Sequence, residues 1–555
     1  MRSAPPRTDR PTPRSRSRAG HRPALTALAC TTGLLLAACS SVGSSSSGGQ
    51  TGSDVGQTAQ SVKPGGAVTV ALSAEPDRLD PTLARSLYSR YVFNAMCEKL
   101  YDLNAKVQIV PQLASALPTA SEDGRTVTIP VRSGVKFADG TPLDAAAVKT
   151  SLERHLTLKE SARVSDLGPI DSVEATSPTR VTIRLKAPFA PLVAALSDRA
   201  GMIMSPKQLK AKGDDFGSDP VCVGPFKFAK RVPQNSIGLV KDPNYYDAKN
   251  VHLDKLTYRI ITDASIRAAN LKSGDAEVAD TVSTEDVDQL KSDSNLSVLE
   301  SASLGYQGVT FNVGNANGVG TAPKVGNAPY AKDKRVRQAF EYAIDRNVLV
   351  KTVFNGLFDT ACSAISPAST FSSPQAQNCR QHDPAKAKQL LQQAGVTMPY
   401  RFSMLTSNTP DSLQFAQALQ SMVKDGGFDM KIEPVEFTSL LDLQDQGKFQ
   451  AVQIGWSGRP DPDGNLSTFV ETGGSQNVAG FSSDKVDTLL RQARQSQNPA
   501  QRRTFYGQLQ TALQDEAPLV YIYRQRNLTG VSKKLSGVQV FPDGIIRVAR
   551  AGFTQ

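Results

Sequence analysis

The sequence predicts a mixed α/β protein that folds as more than one domain. Three features favour this class: strand and helix patterns alternate along the chain, no fixed-period repeat is visible, and 555 residues exceed one ordinary hydrophobic core. The missing repeat also argues against a solenoid or a propeller. With 39% hydrophobic and 21% charged residues, the composition is that of a globular chain and excludes an intrinsically disordered one.

Two segments near the start of the body have strand patterns. Val68, Val70 and Leu72 share one face at a period of two, and the pattern stops at Glu75-Pro76. Residues 125–143 predict two short strands around Ser133-Gly134, followed by a turn at Asp139-Gly140. Strands are therefore expected both in the first body and in the segment that follows it.

Helices are predicted from capping residues and apolar spacing. Asp144 is expected to cap a helix over residues 145–156 that places Val148 and Leu152 on one face. Residues 333–355 predict a helix with Val336, Phe340 and Ala343 at helical spacing and Gly356 as its terminator. The sharpest signal is Asp383-Pro384 at the start and Gly395 past the end of another helix.

The N-terminal 38 residues carry a disproportionate share of the charge. Seven arginines against Asp9 give this stretch a net +6 of the total +11, which leaves +5 for the rest of the chain. Because so little positive charge remains for the long body, we expect no nucleic-acid partner. The arginines instead resemble the basic region of a secretory signal.

The following residues predict a lipid anchor. Residues 24–38 form an apolar stretch too short to span a bilayer, and it runs into Leu36-Ala37-Ala38-Cys39, which resembles the bacterial lipobox. In such signals the peptide is cut before the cysteine, so Cys39 would be the lipidated first residue of the mature protein. The alternative is a plain signal peptide cut at a nearby small residue. Residues 39–62 are rich in Ser and Gly and predict a flexible tether.

Four cysteines remain in the mature body. In an oxidising compartment an even number suggests two disulfides, and sequence alone leaves three pairings open. We favour Cys362–Cys379, which closes a Ser/Pro-rich loop, and this choice leaves Cys97–Cys222. A metal site is disfavoured because there is no Cys-x-x-Cys and the histidines are scattered.

The segment "GVKFADGTPLDAAAVKTSLER", residues 134–154, resembles the signature of the extracytoplasmic solute-binding proteins of family 5, which serve oligopeptide, dipeptide and nickel ABC importers. Further pieces resemble the same family in the same order, among them "GGAVTVALSAEPDRLDP", "DPNYYDAKNVHLDKLTYRI", "KRVRQAFEYAIDRNVLV" and "GWSGRPDPDGNL". Each piece alone is weak, but their order and spacing are specific. The resemblance covers nearly all of the predicted mature chain.

The resemblance implies a fold and a domain plan. The fold is the two-lobed α/β periplasmic-binding-protein-like fold, type II, cluster C, with an extra domain in lobe I. Crossings near Ser303 and Leu528 would form the hinge. The implied organisation is a signal at 1–38, a tether at 39–62, lobe I at 63–103 with 216–303 and 529–555, the inserted domain at 104–215, and lobe II at 304–528.

The implied function is capture of a solute between the lobes and delivery to an ABC permease and ATPase complex. The protein would be a monomer without a cofactor, held by its lipid on the extracytoplasmic face of the cell membrane. One alternative is a ligand sensor without a transport role. Another is a secreted lipoprotein hydrolase, although the chain contains no Gly-x-Ser-x-Gly elbow, no His-Glu-x-x-His motif and no phosphate-binding Gly-rich loop.

Trp456, the only tryptophan, ends an apolar run in which Val452 and Ile454 precede it at alternate positions. This spacing predicts a strand that carries the indole at its carboxyl end, where α/β sheets place their ligands. The alternative is a buried core tryptophan. Because the resemblance also makes this segment a wall of the binding pocket, we predict that Trp456 contacts the solute.

Arg459 and Asp461 complete the predicted site. In peptide-binding members of the family, the residue three past this tryptophan is an aspartate that pairs with the α-amino group of the ligand, whereas this chain has Arg459. We therefore predict a peptide-like or other small polar solute, with an anionic group clamped by Arg459 as one candidate. Asp461 is the alternative holder of an amine, although Asp461-Pro462-Asp463-Gly464 also fits a type I turn.

Overall fold

The computed structural model describes residue 56 and residues 60–555. The predicted signal, Cys39 and most of the tether lie outside these residues. Within them the strands form two large mixed sheets, here called sheet A and sheet B, and an antiparallel sheet, here called sheet C. The predicted mixed α/β class is correct.

Sheet A is built on a parallel core with antiparallel edges. Its central strand Ala67–Leu72 lies parallel to Lys255–Ile260 and to Val278–Ala279. Val68, Val70 and Leu72 of that strand are buried, as their spacing predicts. In spatial order the strands of sheet A are Leu296–Ser301, Asn527–Ser532, Val278–Ala279, Ala67–Leu72, Lys255–Ile260, Ser236–Lys241 and Phe226–Val232.

Sheet B repeats this design in the second half of the chain. Tyr400–Ser407 lies parallel to both Phe428–Val435 and Ala451–Trp456, while Tyr306–Phe311 joins antiparallel. In spatial order its strands are Asp359–Thr360, Leu519–Arg524, Tyr306–Phe311, Ala451–Trp456, Tyr400–Ser407 and Phe428–Val435. Phe340 packs edge-on against Phe311, Phe402 and Phe428 at 5.3 to 5.7 Å, which anchors the sheet to a helix.

Over residues 60–555 the chain crosses between the two sheets twice. Residues 302–305 connect Leu296–Ser301 to Tyr306–Phe311, and residues 525–526 connect Leu519–Arg524 to Asn527–Ser532. Ser303 lies in the first connection, whereas Leu528 lies just past the second, inside a strand of sheet A. Gly305 is required at the first connection, because a Cβ there would lie 2.0 Å from the carbonyl oxygen of Trp456.

Sheet C lies within the predicted inserted segment. Its strands, in spatial order, are Thr119–Ala120, Thr126–Pro130, Arg180–Leu185 and Ile170–Ser177. Of the two strands predicted over residues 125–143, only the first is a full strand. The second is reduced to isolated bridges such as Lys136 to Pro142. Smaller sheets form elsewhere. Gly552–Thr554 pairs with Val62–Lys63 and with Leu535–Ser536. Tyr101–Leu103 pairs with Ile109–Pro111, and Gln539–Val540 pairs with Ile546–Arg547.

The helices flank these sheets. Their bounds are Leu87–Met96, Ala145–Thr157, Val164–Leu167, Leu192–Ala195, Pro206–Lys212, Ala264–Ser273, Val287–Ser292, Pro329–Lys332, Lys334–Tyr342, Arg346–Val353, Pro384–Gln393, Pro410–Val423, Phe437–Asp445, Asp463–Val470, Asp484–Gln495 and Pro499–Glu516. Short 3₁₀ turns occur at Arg199–Gly201, Gly213–Ser218, Ala248–Asn250, Gln375–Gln377 and Lys424–Gly426. Within the described residues no helix has both the length and the apolar character needed to cross a bilayer.

The predicted caps are present. The Asp144 side chain accepts a hydrogen bond from the backbone N–H of Ala147, and that of Asp383 accepts one from Lys386. The helix expected over residues 333–355 is wrong as one piece. It is divided into Lys334–Tyr342 and Arg346–Val353, because Asp345 accepts from the N–H of Val348 and starts a second helix.

The described residues contain two disulfides, Cys97–Cys222 and Cys362–Cys379, with Cα–Cα distances of 4.9 and 5.1 Å. These are the pairs that we favoured among the three possible arrangements. The first ties the helix Leu87–Met96, which ends beside Cys97, to the segment that returns from sheet C to sheet A. The second closes the loop between residues 362 and 379. Both reduce the freedom of the unfolded chain.

Candidate functional site

A cavity of about 250 Å³ lies between sheet A and sheet B. Ser73, Thr262 and Thr281 line it, and each follows one of the parallel strands of sheet A. On the opposite side Ser407, Phe437 and Trp456 lie at or just past the ends of the parallel strands of sheet B. The carboxyl ends of both parallel cores thus face one cavity, which is where open α/β sheets bind ligands.

The walls of this cavity are aromatic and amide-rich. Tyr88 and Tyr91 come from the helix Leu87–Met96, and the ring of Tyr88 meets that of Phe437 edge-on at 5.6 Å. Several glutamines also line the cavity, namely Gln307, Gln444, Gln453, Gln476 and Gln525. Aromatic faces supply contact area, and amides both donate and accept hydrogen bonds, so the walls suit a compact polar solute.

Trp456 lies where its spacing predicts, at the carboxyl end of Ala451–Trp456 and on the cavity wall. Its indole N–H donates to the carbonyl oxygen of Gly464 and to Oδ1 of Asn465, both at 3.1 Å. The ring of Phe469 packs against it at 4.8 Å. Because these contacts satisfy the N–H and fix the ring, Trp456 offers the cavity a rigid apolar surface.

Arg459 is not among the residues that line this cavity, and its role as a clamp for an anionic group stays a prediction. Its guanidinium carbon lies 4.1 Å from the Trp456 ring centroid, and its Nε is 2.6 Å from Oδ2 of Asp198. Nη1 donates to the carbonyl oxygen of Gly458 at 2.8 Å. Arg459 is buried, with 8% of the residue exposed, and its charge is neutralised inside the protein by a carboxylate from the inserted segment.

Asp461 does not line the cavity either, and its role as an amine holder stays a prediction. Its Oδ1 accepts hydrogen bonds from Nη2 of Arg502 at 2.8 Å and from the hydroxyl of Tyr506 at 3.3 Å. The N–H of Gly464 donates to the Asp461 carbonyl oxygen at 3.1 Å, as in the predicted turn. These contacts give Asp461 a structural role in the loop that follows Trp456.

Asp198 connects three parts of the molecule. Its Oδ1 accepts from Nε of Arg90, on the helix Leu87–Met96, at 3.0 Å, while Oδ2 faces Arg459 of the sheet B body. Burial alone would raise the pKa of Asp198, but the charges of Arg459, Arg90 and Arg199 outweigh it and hold this pKa well below its ordinary value. Asp198 is therefore an ionised, buried bridge between the two bodies.

Burial also lowers the pKa of Arg459, to about 9, with Arg90 contributing and Asp198 opposing the shift. Further contacts hold the two bodies together across the cavity. Nη1 of Arg90 donates to Oγ of Ser457 at 3.0 Å, and Arg85 forms an ion pair with Asp445. Each body thus contacts the other beside the cavity.

Sequence reasoning missed most of the cavity. The residues it did not find include Tyr88, Arg85, Arg267, Asp411 and the glutamines, which come from segments far apart along the chain. No local pattern marks them, since each is an ordinary helix, strand or loop residue until the sheets bring their strand ends together. Strand direction is the one general signal for these residues. It places Ser73 and Ser407 at the carboxyl ends of parallel strands, where open α/β sheets bind ligands.

Comparison with known proteins identifies the fold. The family model described as "Bacterial extracellular solute-binding proteins, family 5 Middle" matches residues 108–477. The glutathione-binding protein GsiB of Escherichia coli K12 is 28% identical over 488 residues, which cover 86% of this chain and 92% of GsiB.

Solved structures agree with this assignment. AgaA from A. tumefaciens R10, in complex with agropinic acid, matches with a TM-score of 0.80 and 26% identity over 88% of this chain and 99% of AgaA. NikZ from Campylobacter jejuni, in complex with Ni(L-His), matches with a TM-score of 0.75 and 25% identity over 86% of this chain and 97% of NikZ. These relatives are binding proteins rather than enzymes. The chain belongs to the bacterial extracellular solute-binding proteins of family 5, the two-lobed solute receptors of ABC importers.

Proposed function

We propose that this chain is a lipid-anchored receptor that captures a small peptide-like or other polar solute between two lobes and delivers it to an ABC permease and ATPase. The family supplies the transport role. The solute class, the anchor at Cys39, the monomeric state and action by binding alone are our proposal. Sheet A with sheet C would form lobe I and its inserted domain, and sheet B would form lobe II.

One observation carries the proposal: a cavity at the carboxyl ends of six parallel strands is lined by both sheet bodies and bridged at its rim. Nε2 of Gln414 donates to Oε1 of Glu285 at 3.1 Å, which adds a second hydrogen bond between the bodies to that of Arg90 with Ser457. A solute in this cavity touches both lobes, so its binding favours closure. The two connections, 302–305 and 525–526, are the natural hinge.

The size and chemistry of the cavity support a small polar solute. About 250 Å³ is below the usual range of roughly 300–1,000 Å³ for ligand sites, so a long peptide does not fit. Among the relatives, GsiB is described as binding glutathione, and AgaA was solved with agropinic acid. Both are compact solutes with several polar groups. Glutamine side chains around an aromatic wall suit hydrogen bonding to such molecules.

Within this proposal the predicted site residues take separate roles. Trp456 packs on the solute as a fixed wall. Arg459 stabilises the closed form through Asp198, and Asp461 fixes the loop through Arg502. Cys39 would carry the lipid, and the Ser/Gly-rich residues after it would give the receptor its reach from the membrane.

The proposal is tested by identifying what the protein holds. The full chain is purified without denaturation, heated, and the released small molecules are identified by mass spectrometry. Each is then added back to protein freed of solute by unfolding and refolding. We expect a compound of dipeptide or glutathione size to bind at micromolar concentration or below and to reduce the radius of gyration in small-angle X-ray scattering. Binding without compaction would contradict capture between lobes, and turnover of the compound would contradict action by binding alone.

A further inference from the structure

Of the residues that the structure describes, three charged side chains line the cavity, and two of them are neutralised within the protein. Arg85 is paired with Asp445. Arg267 lies 3.6 Å from Asp280, and its Nη1 donates to the carbonyl oxygens of Ile261 and Thr262 at 2.8 and 2.9 Å. The third is Asp411, whose carboxylate has no hydrogen bond or ion pair with any described residue. The cavity therefore presents one uncompensated charge, and it is negative.

The surroundings of Asp411 increase this negative character. Burial raises its pKa above the ordinary value, Arg267 opposes the shift, and Glu285, Asp263 and Asp286 add to it. A cation beside Asp411 would relieve both the loss of solvation and the repulsion from these acids. The half-buried carboxylate thus has an electrostatic reason to accept a positive partner.

Aromatic rings complete this end of the cavity. Burial, together with smaller contributions that include the charge of Asp411, raises the pKa of Tyr88 to about 12. Burial and Asp411 also raise the pKa of Tyr523. Both rings line the cavity within electrostatic range of the carboxylate. A carboxylate with aromatic faces nearby is a favourable setting for an ammonium or guanidinium group.

A purely structural role for Asp411 is the competing explanation. It lies in the first turn of the helix Pro410–Val423, where a negative charge favours the helix dipole. That role does not require the side chain to line a cavity, and the carboxylate makes no hydrogen bond to the backbone of the turn. The neighbouring Thr409 bonds instead to Ser412, at 2.9 Å between the hydroxyl oxygens.

We propose that Asp411 is a specificity residue of the solute site and binds a positively charged group of the solute, an ammonium or a guanidinium. This inference rests on the proposed function, since it assumes that the cavity holds the transported solute. It narrows the solute class to compounds that carry a cationic group, and it makes an exclusively anionic solute a poor ligand.

Matched probes test this assignment. Glutathione and alanyl-alanine each carry an ammonium group, and their N-acetyl forms lack it. Affinities of the four probes for the wild-type chain and for Asp411→Asn are measured by calorimetry, and the charge of any compound released from the purified protein is determined. Asp429→Asn is the matched control, because Asp429 is exposed and pairs with Arg401 at 3.0 Å, away from the cavity.

We expect the wild type and the control to bind an ammonium probe, or a released cationic compound, about 10- to 100-fold more tightly than its acetylated form. Asp411→Asn should reduce this ratio to near one while keeping the acetylated affinity. A released compound without a cationic group, or an unchanged ratio in Asp411→Asn, would overturn the inference and leave the receptor role intact. If no probe binds and no compound is released, the proposed function itself fails. A lower melting temperature with an unchanged ratio would assign Asp411 to helix stability alone.

Discussion

Replacing Asp198 by asparagine removes the carboxylate that contacts both Arg90 and Arg459. Arg90 belongs to the same lobe as Asp198 in our proposal, so that contact persists when the lobes open. The 2.6 Å contact with Arg459 is made only when they close. The substitution therefore destabilises the closed form more than the open form, and solute affinity should fall because closure is linked to binding.

The magnitude follows from the nature of the contact. A buried, charge-assisted interaction contributes about 1.5–3 kcal/mol, which corresponds to an affinity loss of about 10- to 100-fold in Asp198→Asn. Arg459→Ala should cause a similar loss. Because both changes remove the same contact, the double variant should lose little more than either single variant. Calorimetry with the released solute measures the cycle, and small-angle X-ray scattering measures how far the lobes stay open.

The competing hypothesis makes the opposite prediction for one variant. If Arg459 clamps an anionic solute directly, Asp198→Asn frees its guanidinium and strengthens binding. Nη2 of Arg459 is buried and has no hydrogen-bond partner among the described residues, so it has a donor left to bind an anionic solute. Tighter binding in Asp198→Asn, or additive losses in the double variant, would refute the bridge between lobes. Circular dichroism of each variant checks that the fold is retained.

Three further predictions concern other parts of the chain. Trp456→Ala should weaken solute binding by about tenfold in calorimetry, while Trp456→Phe should lose less because it keeps an aromatic wall; equal affinity in all three proteins would exclude solute contact. Cys39→Ala should move the protein from the membrane fraction to the medium, and unchanged fractionation would reject the lipid anchor. Burial raises the pKa of Glu98 to about 7, although the hydroxyls of Tyr245 and Tyr246 donate hydrogen bonds to its carboxylate and oppose the shift. The contribution of Glu98 to the stability of the folded protein is therefore complete below about pH 4.5 and is lost as pH rises through 7. In denaturant titrations, the free energy of unfolding of Glu98→Gln should therefore rise relative to that of the wild type by up to about 3 kcal/mol between pH 4.5 and pH 8. A constant difference in this free energy over the interval would contradict the pKa shift.

The sequence by itself determined the features whose causes are local. The caps at Asp144 and Asp383 are correct because each side chain bonds to a backbone N–H three residues ahead. The strand that carries Trp456 is correct because alternation over a few residues is enough to specify it. The split of the predicted helix at Asp345 has an equally local cause, because the Asp345 side chain caps the second helix. Membership of the two-lobed fold followed from the order of many weak segments, which together are specific.

Only the tertiary structure decided what Arg459 and Asp461 face. Arg459 reads as a free charge beside Trp456, but its partner Asp198 comes from the inserted segment, and Asp461 is held by Arg502 of a distant helix. Conversely, Asp411 looks like an ordinary first-turn acid until the sheets place it in the cavity without a partner. The physical reason is that charge neutralisation in a buried site depends on distance in space, whereas local pattern reports only neighbours along the chain.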